Sequence, residues 1–508
     1  MDAQDTRQTA TSTDSAPVPT PVQLLGELRS KSGEARTVGL DDATIARFAA
    51  VDGRLARVIR EAVAHRRQLP ADLDALVMRD EGTAVKEVQK GFLNFYPQHA
   101  VNPYIPLAAR GPWIVSTHGA VIHDNGGYGM LGFGHGPDDV LDTMAQPHVM
   151  ANIMTPSLSH RRFIDALRAE VGHARTDAPF DRFLCLNSGS ESVTVAARIS
   201  DIHAWNMVRP GGPREGQPIK FLALQGAFHG RTQRPALLSH STRPKYETFL
   251  ASFQDRDDLI IVPPNDVAAL EAAFAQADAD GVYIESMFLE PVMGEGNPGH
   301  ATSRAFYDAA RRLTKAHGSF LVVDSIQAGL RATGALSIVD YPGFEDCEPP
   351  DMETWSKALN AGQYPLSVLG LSAEAADTYQ RGVYGNTMTG NPRAVEVACS
   401  VLERVTPAFR ANIKAQGRRF VDGLQALQAE FPEVVVDVTG TGLLFCCELD
   451  PDRYPVVGTG GVEEVCRLQG IGVIHGGRNA LRFTPNFDIT DAEVDLVLAG
   501  LRRVFAGL

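Results

Sequence analysis

Short apolar runs alternating with helical-period segments fill the middle of this chain. KFLALQGAFHG, LIIVPP, GVYIESMFLEPV and SFLVVD are strand-like runs rich in β-branched and large apolar residues. Strands buried on both faces of a parallel sheet read this way. Between them, Val267 to Gln276 and the segment SRAFYDAARRLTKAHG carry a helical period. Alternating strands and helices predict an α/β architecture, an open and largely parallel sheet covered by helices. Upstream, residues 159–173 predict a helix. FLCLNSGSESVTVAARISDIHAW then predicts a strand, a Ser/Gly turn and a helix starting near Glu191. Apolar spacing over residues 40–90 predicts helices. From Trp113 the texture alternates and is broken at Asp124-Asn125-Gly126-Gly127, which predicts a β-hairpin or meander. After Pro392, RAVEVACSVLERV is a helix at a boundary. Residues 410–508 then read as a smaller α/β unit: a helix, a strand pair, a helix into a strand, and a last strand before a long amphipathic helix with an Asp/Thr cap. The Ser/Thr/Asp/Pro-rich first 20 residues predict a disordered tail.

Length and composition narrow this picture further. With 508 residues the chain is long enough for several domains and a large core. Its 47 basic against 61 acidic residues give a net charge of -14, which argues against a broad nucleic-acid footprint. The N-terminus has no apolar signal-like region, and no run approaches the length of a membrane span. The six cysteines lack any CxxC spacing and read as reduced, mostly buried thiols. A cytoplasmic enzyme is the expectation, with neither nucleic acid nor membrane as partner.

The candidate chemistry lies at strand ends. Phe320 to Val323 is a buried-strand run that ends in Asp324, and Lys357 follows downstream. An aspartate there and a lone lysine suggest an acidic anchor and an amine nucleophile in one site; a helix-capping aspartate and a solvated lysine are the plain alternatives. NSGSES, residues 187–192, lies between strand and helix, where exposed N–H groups form an anion cradle. In GAFHGRT, Phe228 can lie flat against a planar cofactor with His229 as a polar neighbour, or be ordinary core. HExxH, metal-spaced cysteines and a GxSxG elbow are absent, so no metal site and no serine hydrolase is expected.

Eight segments in order resemble the class III (omega/ornithine-type) aminotransferases, fold-type I enzymes dependent on pyridoxal 5'-phosphate. They are HDNGGYGMLGFGHG, NSGSES, GAFHGRT, FLEPVMGEG, VVDSIQAGLRATG, WSKALNAGQYP, NTMTGNP and ALRFTP, spread from about Trp113 to the C-terminus. The resemblance implies a large domain with a central, mostly parallel seven-stranded sheet and a smaller α/β C-terminal domain. It divides the chain into a tail (1–20), a helical extension and hairpin contributing to the small domain and the substrate entrance (21–145), a large cofactor domain (146–395) and a small domain (396–508). Lys357 is implied as the Schiff-base lysine and Asp324 as partner of the protonated pyridine nitrogen, which keeps the ring an electron sink. Gln327 matches the position reaching the ring hydroxyl, Phe228 the stacked aromatic with His229 beside it, and Ser188, Gly189 and Ser190 the phosphate turn. Thr387 matches a phosphate ligand donated by the other subunit, which implies a homodimer. Arg482 matches an arginine near the substrate carboxylate, or a structural ion pair. Tyr104 and Asn152, with Tyr96, Asn102, Met150 and Met154, are candidates for substrate contact at the entrance, against a packing role for each.

This chain departs from the family pattern in places. Ser325 stands where a Glu usually follows the pyridine-binding aspartate, and Thr194 stands where the turn helix usually carries an acid. After the lysine, Asn360 and Gln363 are polar insertions placed to face the cleft. The reaction expected is amino-group transfer between an amino acid or amine and a keto acid or aldehyde. An aminomutase, racemase or decarboxylase on the same scaffold is the alternative, because the cofactor stabilises a carbanion whichever bond breaks. A non-catalytic binding module is the reading from another class, and the presence of both Asp324 and Lys357 argues against it.

Overall fold

The computed structural model describes residues 19–127, 129–150 and 153–508. Most of the expected tail, and Asn152, lie outside the described residues. Five helices come first, at Pro21–Ser30, Asp42–Ala49, Gly53–Arg67, Ala71–Val77 and Glu81–Gln89. The helix at 21–30, not expected from the apolar pattern, is fixed by local chemistry. Pro21 opens it, Thr20 Oγ1 accepts from Gln23 N, and the Gln23 side chain accepts from Thr20 N at 2.8 Å.

A meander follows, β1 (Pro106–Arg110), β2 (Trp113–Ser116) and β3 (Val121–Asp124), each antiparallel to the next. Its fourth strand, Ile471–Gly472, comes from the far end of the chain and pairs in parallel with β3.

The central sheet has seven strands: β4 (Arg182–Leu186), β5 (Ile219–Leu224), β6 (Leu259–Val262), β7 (Tyr283–Leu289), β8 (Phe320–Asp324), β9 (Met352–Trp355) and β10 (Ser367–Leu371). Their order is β4-β10-β9-β8-β7-β5-β6. All run one way except β10, which is antiparallel to both neighbours. The long crossovers between β5, β6, β7 and β8 carry helices and permit parallel pairing, whereas β9 returns directly to β10 through the loop at 356–366, which has no crossover helix and favours an antiparallel pair. Gly370 on β10 is required by packing, since a Cβ there would lie 2.8 Å from the Trp355 ring.

The helix Gly189–Val208 covers one face, packing Val193, Ala196 and Ala197 with Val322 and Met352. Helices Val267–Ala279 and Arg304–His317 cover the other, with Leu270, Phe274 and Phe306 against Ile284, Leu321 and Val323. At the C-terminus, β11 (Val435–Thr441), β12 (Leu444–Leu449), β14 (Ile474–Gly476) and β15 (Ala480–Phe483) form an antiparallel sheet, with β13 the Ile471–Gly472 strand already placed beside β3. Helix Pro407–Glu430 covers it, and Asp491–Phe505, started by a capping box between Thr490 and Glu493, packs on that helix and on β13. Among the described residues, no helix is long and apolar enough to cross a membrane.

Candidate active site

The parallel strands all end on one edge of the central sheet, the edge where open α/β sheets bind ligands. There the segments after β4, β5, β7, β8 and β9 converge on a cavity of about 400 Å³. Ser188, Gly189, Ser190, Phe228, His229, Asp324, Gln327 and Lys357 all line it.

Lys357 opens a single 3-10 turn, Lys357–Asn360, with φ of +40°, a conformation costly for a residue with a Cβ. Neighbours hold it there: Ser356 Oγ and Asn360 Nδ2 donate to Leu366 O at 2.7 and 3.0 Å, and Asn360 Oδ1 accepts from Gly362 N at 2.9 Å. Asn360 therefore lines the cavity yet spends its amide on the turn, while Gln363 also lines it. The lysine Nζ donates to Gln327 Oε1. Burial, and after it the charge of Arg482, lowers its pKa to about 8, against the opposing pull of Glu295, Asp324 and Glu290.

Asp324 is buried at the end of β8. Its Oδ2 accepts from His229 Nδ1 at 2.9 Å and its Oδ1 from Ile326 N at 3.1 Å. A carboxylate on Nδ1 keeps the proton on that nitrogen and leaves Nε2, which has no partner. His229 is itself fixed by donation of its backbone N–H to Ser239 Oγ at 2.8 Å. Beneath Phe228 lies Glu290, which accepts from Phe228 N at 3.0 Å and Gly294 N at 2.9 Å; burial pushes its pKa up to about 7.

Opposite these groups lies the N-terminus of the 20-residue helix Gly189–Val208. Ser188 is its cap and takes Glu191 N, so the helix begins inside the NSGSES turn and not at Glu191 as the pattern suggests. The first N–H groups have no acceptor within the helix and offer positive dipole ends to an anion. The Glu191 carboxylate is occupied elsewhere, by Asn187 N at 2.6 Å, Asn386 Nδ2 at 3.1 Å and the Tyr384 hydroxyl. Gly189 and Gly230 keep the turn tight: a Cβ on the first would lie 2.6 Å from Ile326, and one on the second 2.3 Å from Ser190 Oγ.

Other expected residues stand apart from this cavity. Arg482 on β15 is buried behind it, donating from Nη1 to Gly294 O at 2.7 Å and to Glu295 Oε2 at 3.1 Å. Thr387 is exposed and does not line the cavity. Tyr104 is buried in a neighbouring cavity of about 550 Å³ that adjoins the first at Met130. Asn152 lies outside the described residues. Thr194 donates to Ser190 O at 2.7 Å, and Ser325 donates to Glu353.

Three site groups escaped the residue-by-residue sequence reading: Glu290, Glu295 and Arg231. The first two are in the FLEPVMGEG segment, where two acids so near a glycine turn were the available signal. Arg231 stacks 5.1 Å over Phe228 and 5.7 Å over Phe95, and its Nη2 lies 3.7 Å from Glu295. One carboxylate, Glu295, thus stands between two guanidinium groups.

The chemistry fits a planar, anionic cofactor with a carbonyl group. The helix N-terminus receives an anion, Phe228 flanks a ring, Asp324 meets a cationic ring nitrogen, and Lys357 is an amine nucleophile. The buried Gln327 Nε2 has no partner among the described residues and points to an acceptor on such a ligand.

Comparison with known proteins agrees. Residues 95–505 match the family model described as Aminotransferase class-III. The acetylornithine aminotransferase of Xanthomonas axonopodis pv. citri is 33% identical, covering 64% of this chain and 74% of that protein. That of Pseudomonas putida is 28% identical over 81% of this chain and 95% of the relative. A crystal structure of ornithine aminotransferase from Toxoplasma gondii superposes with a TM-score of 0.70 at 22% identity, covering 87% of this chain and 97% of that one.

Proposed function

The chain belongs to the class-III aminotransferases and is a pyridoxal-phosphate-dependent transaminase; on that premise we propose how its own residues divide the work. The observation that carries the proposal is the meeting of Lys357, the Asp324–His229 pair and a helix N-terminus in one cavity. Bound there, the cofactor supplies a carbonyl carbon for amine exchange and a cationic ring that accepts the electrons of a broken bond next to nitrogen. Gly189 and Ser190 hold its phosphate through helix N-terminal N–H groups, and Phe228 flanks its ring. Asp324, kept oriented by His229, pairs with the ring nitrogen. Gln327 meets the ring oxygen. Lys357 Nζ would hold the cofactor and, once freed by the substrate amine, would take and return the proton on the carbon bearing that amine. A pKa lowered to about 8 suits a lysine to give and take a proton near neutral pH.

Arg482 is the candidate for the substrate carboxylate. Glu295 neutralises it in this structure, so an amino acid must displace that carboxylate, whereas an amine without a carboxyl group leaves the pair closed. Both substrate kinds therefore have a place. Ornithine and acetylornithine, named for relatives, head the donors to try. In a screen of amine donors without acceptor, transamination converts the bound cofactor to its amine form and bleaches the visible band, and adding a keto acid restores it. A visible band that persists while the donor is racemised or decarboxylated sinks this reading in favour of the alternative.

We also propose a homodimer that shares its sites. Thr387 is exposed beside Met388, and Gly390 reaches the 153–160 segment, where its carbonyl meets His160 Nε2 at 2.6 Å. Ile153, Met154, Leu158 and Met388 are exposed at 54%, 82%, 87% and 51%, an apolar patch around the threonine that fits a partner surface. A solution mass of one chain by light scattering, at concentrations where turnover is full, contradicts it.

A further inference from the structure

Ser325 directly follows Asp324, and the structure brings a carboxylate to its side chain from another strand. β8 and β9 run parallel, with Val323 opposite Glu353 and Asp324 opposite Thr354. Strand alternation sends Asp324 to the cavity side, and Ser325 and Glu353 to the other. There Glu353 is fully buried. Its Oε1 accepts from Ser325 Oγ and, at 3.0 Å, from Ile338 N, and its Oε2 accepts from Ser337 Oγ. None of these three donors is cationic. Burying a carboxylate without a cation is unfavourable and pushes its pKa up to about 7, and three hydrogen bonds offset that cost.

The residue it grips is the root of the catalytic turn. Asp324 Oδ1 accepts from Ile326 N, Ser325 O accepts from Gly329 N at 2.8 Å, and Gln327 reaches Lys357. Ser325 Oγ ties this turn to the strand that carries Glu353, four residues before Lys357. We infer that Glu353, acting through Ser325, is a positioning residue for Asp324 and Gln327. The carboxylate stands on the neighbouring strand, and the serine hydroxyl completes its reach. This inference rests on the reading of Asp324 and Gln327 as cofactor ligands.

The test uses the full chain, with pyridoxal phosphate titrated into apoprotein. It records the cofactor Kd, the pH midpoint of the visible band, kcat and KM, and apoprotein melting. Ser325→Ala and the near-isosteric Glu353→Gln should each raise the cofactor Kd by about tenfold. Each should also move the pH midpoint and lower kcat with little change in KM for the amine. Ser325→Glu alone should be worse, because two carboxylates crowd one site. Ser325→Glu with Glu353→Ala should recover cofactor binding to within about threefold of the native chain, a non-additivity expected only of coupled sites. A merely structural Glu353 lowers melting but leaves the cofactor Kd and the band alone; that result, or a double variant no better than Glu353→Ala, overturns the inference. Should Glu353→Ala fail to fold, the Kd and band of Glu353→Gln and Ser325→Ala decide. Asp324→Asn run in parallel separates the levels. Normal turnover there removes the underlying reading, whereas its loss beside unaltered Glu353→Gln and Ser325→Ala overturns this inference alone.

Discussion

Lys357→Ala abolishes turnover, with a loss of at least about 10⁴-fold, the upper range for removal of a positioned proton carrier. The variant also loses borohydride-stable attachment of the cofactor, because Lys357 Nζ is the amine in the cavity that hydrogen-bonds Gln327. Cofactor still enters, held by the helix N-terminus and Asp324, so binding weakens without vanishing. Reductive labelling that persists in the variant sinks the assignment. The same lysine gives a pH signature in the apoprotein. Burial disfavours its ammonium, so the folded state sheds the proton near pH 8, below an ordinary lysine. Reaction of Lys357 with an amine reagent therefore rises as pH increases through about 8. A midpoint in the ordinary lysine range contradicts the site's electrostatics.

The second large effect is at Asp324. Asp324→Asn keeps the shape: its carbonyl oxygen still accepts from Ile326 N, and its NH2 faces His229 Nδ1, which can accept in the other tautomer, so the cofactor stays bound. It removes the charge that holds a proton on the ring nitrogen, and kcat falls by about 10²–10³, the scale seen when one preorganised electrostatic contact is lost. Near-normal turnover refutes the role. His229 gives the finer test of the same element, since its Nδ1–H orients Oδ2 from below.

Much of the architecture was legible because β5 to β8 are written as short, mainly apolar runs, and their crossovers carry a clear helical period. β10 was not. It is five residues long with a serine and a glycine, its place is set by Trp355 packing on Gly370, and its direction by a direct return from β9. At the site, segment order identified Lys357, Asp324, Gln327, Phe228 and the 188–190 turn, and the structure brings these to one cavity. What could not be read were pairings across the chain. The His229–Asp324 bond joins two strand ends, and Glu295 lies between two arginines from different elements. Ser325 looked like a simple loss of charge until β9 supplied Glu353.

The parallel pairing of β3 with Ile471–Gly472 has a bearing on how the molecule is made. During synthesis the meander leaves the ribosome early, while its last strand emerges only after the entire central sheet. Until then β3 waits with an open edge of backbone donors and acceptors, a template for mispairing. The central sheet, whose strands are complete by Leu371, has all its partners far sooner. Emergence of Ile471–Gly472, long after the central sheet is complete, is thus the event that closes this edge.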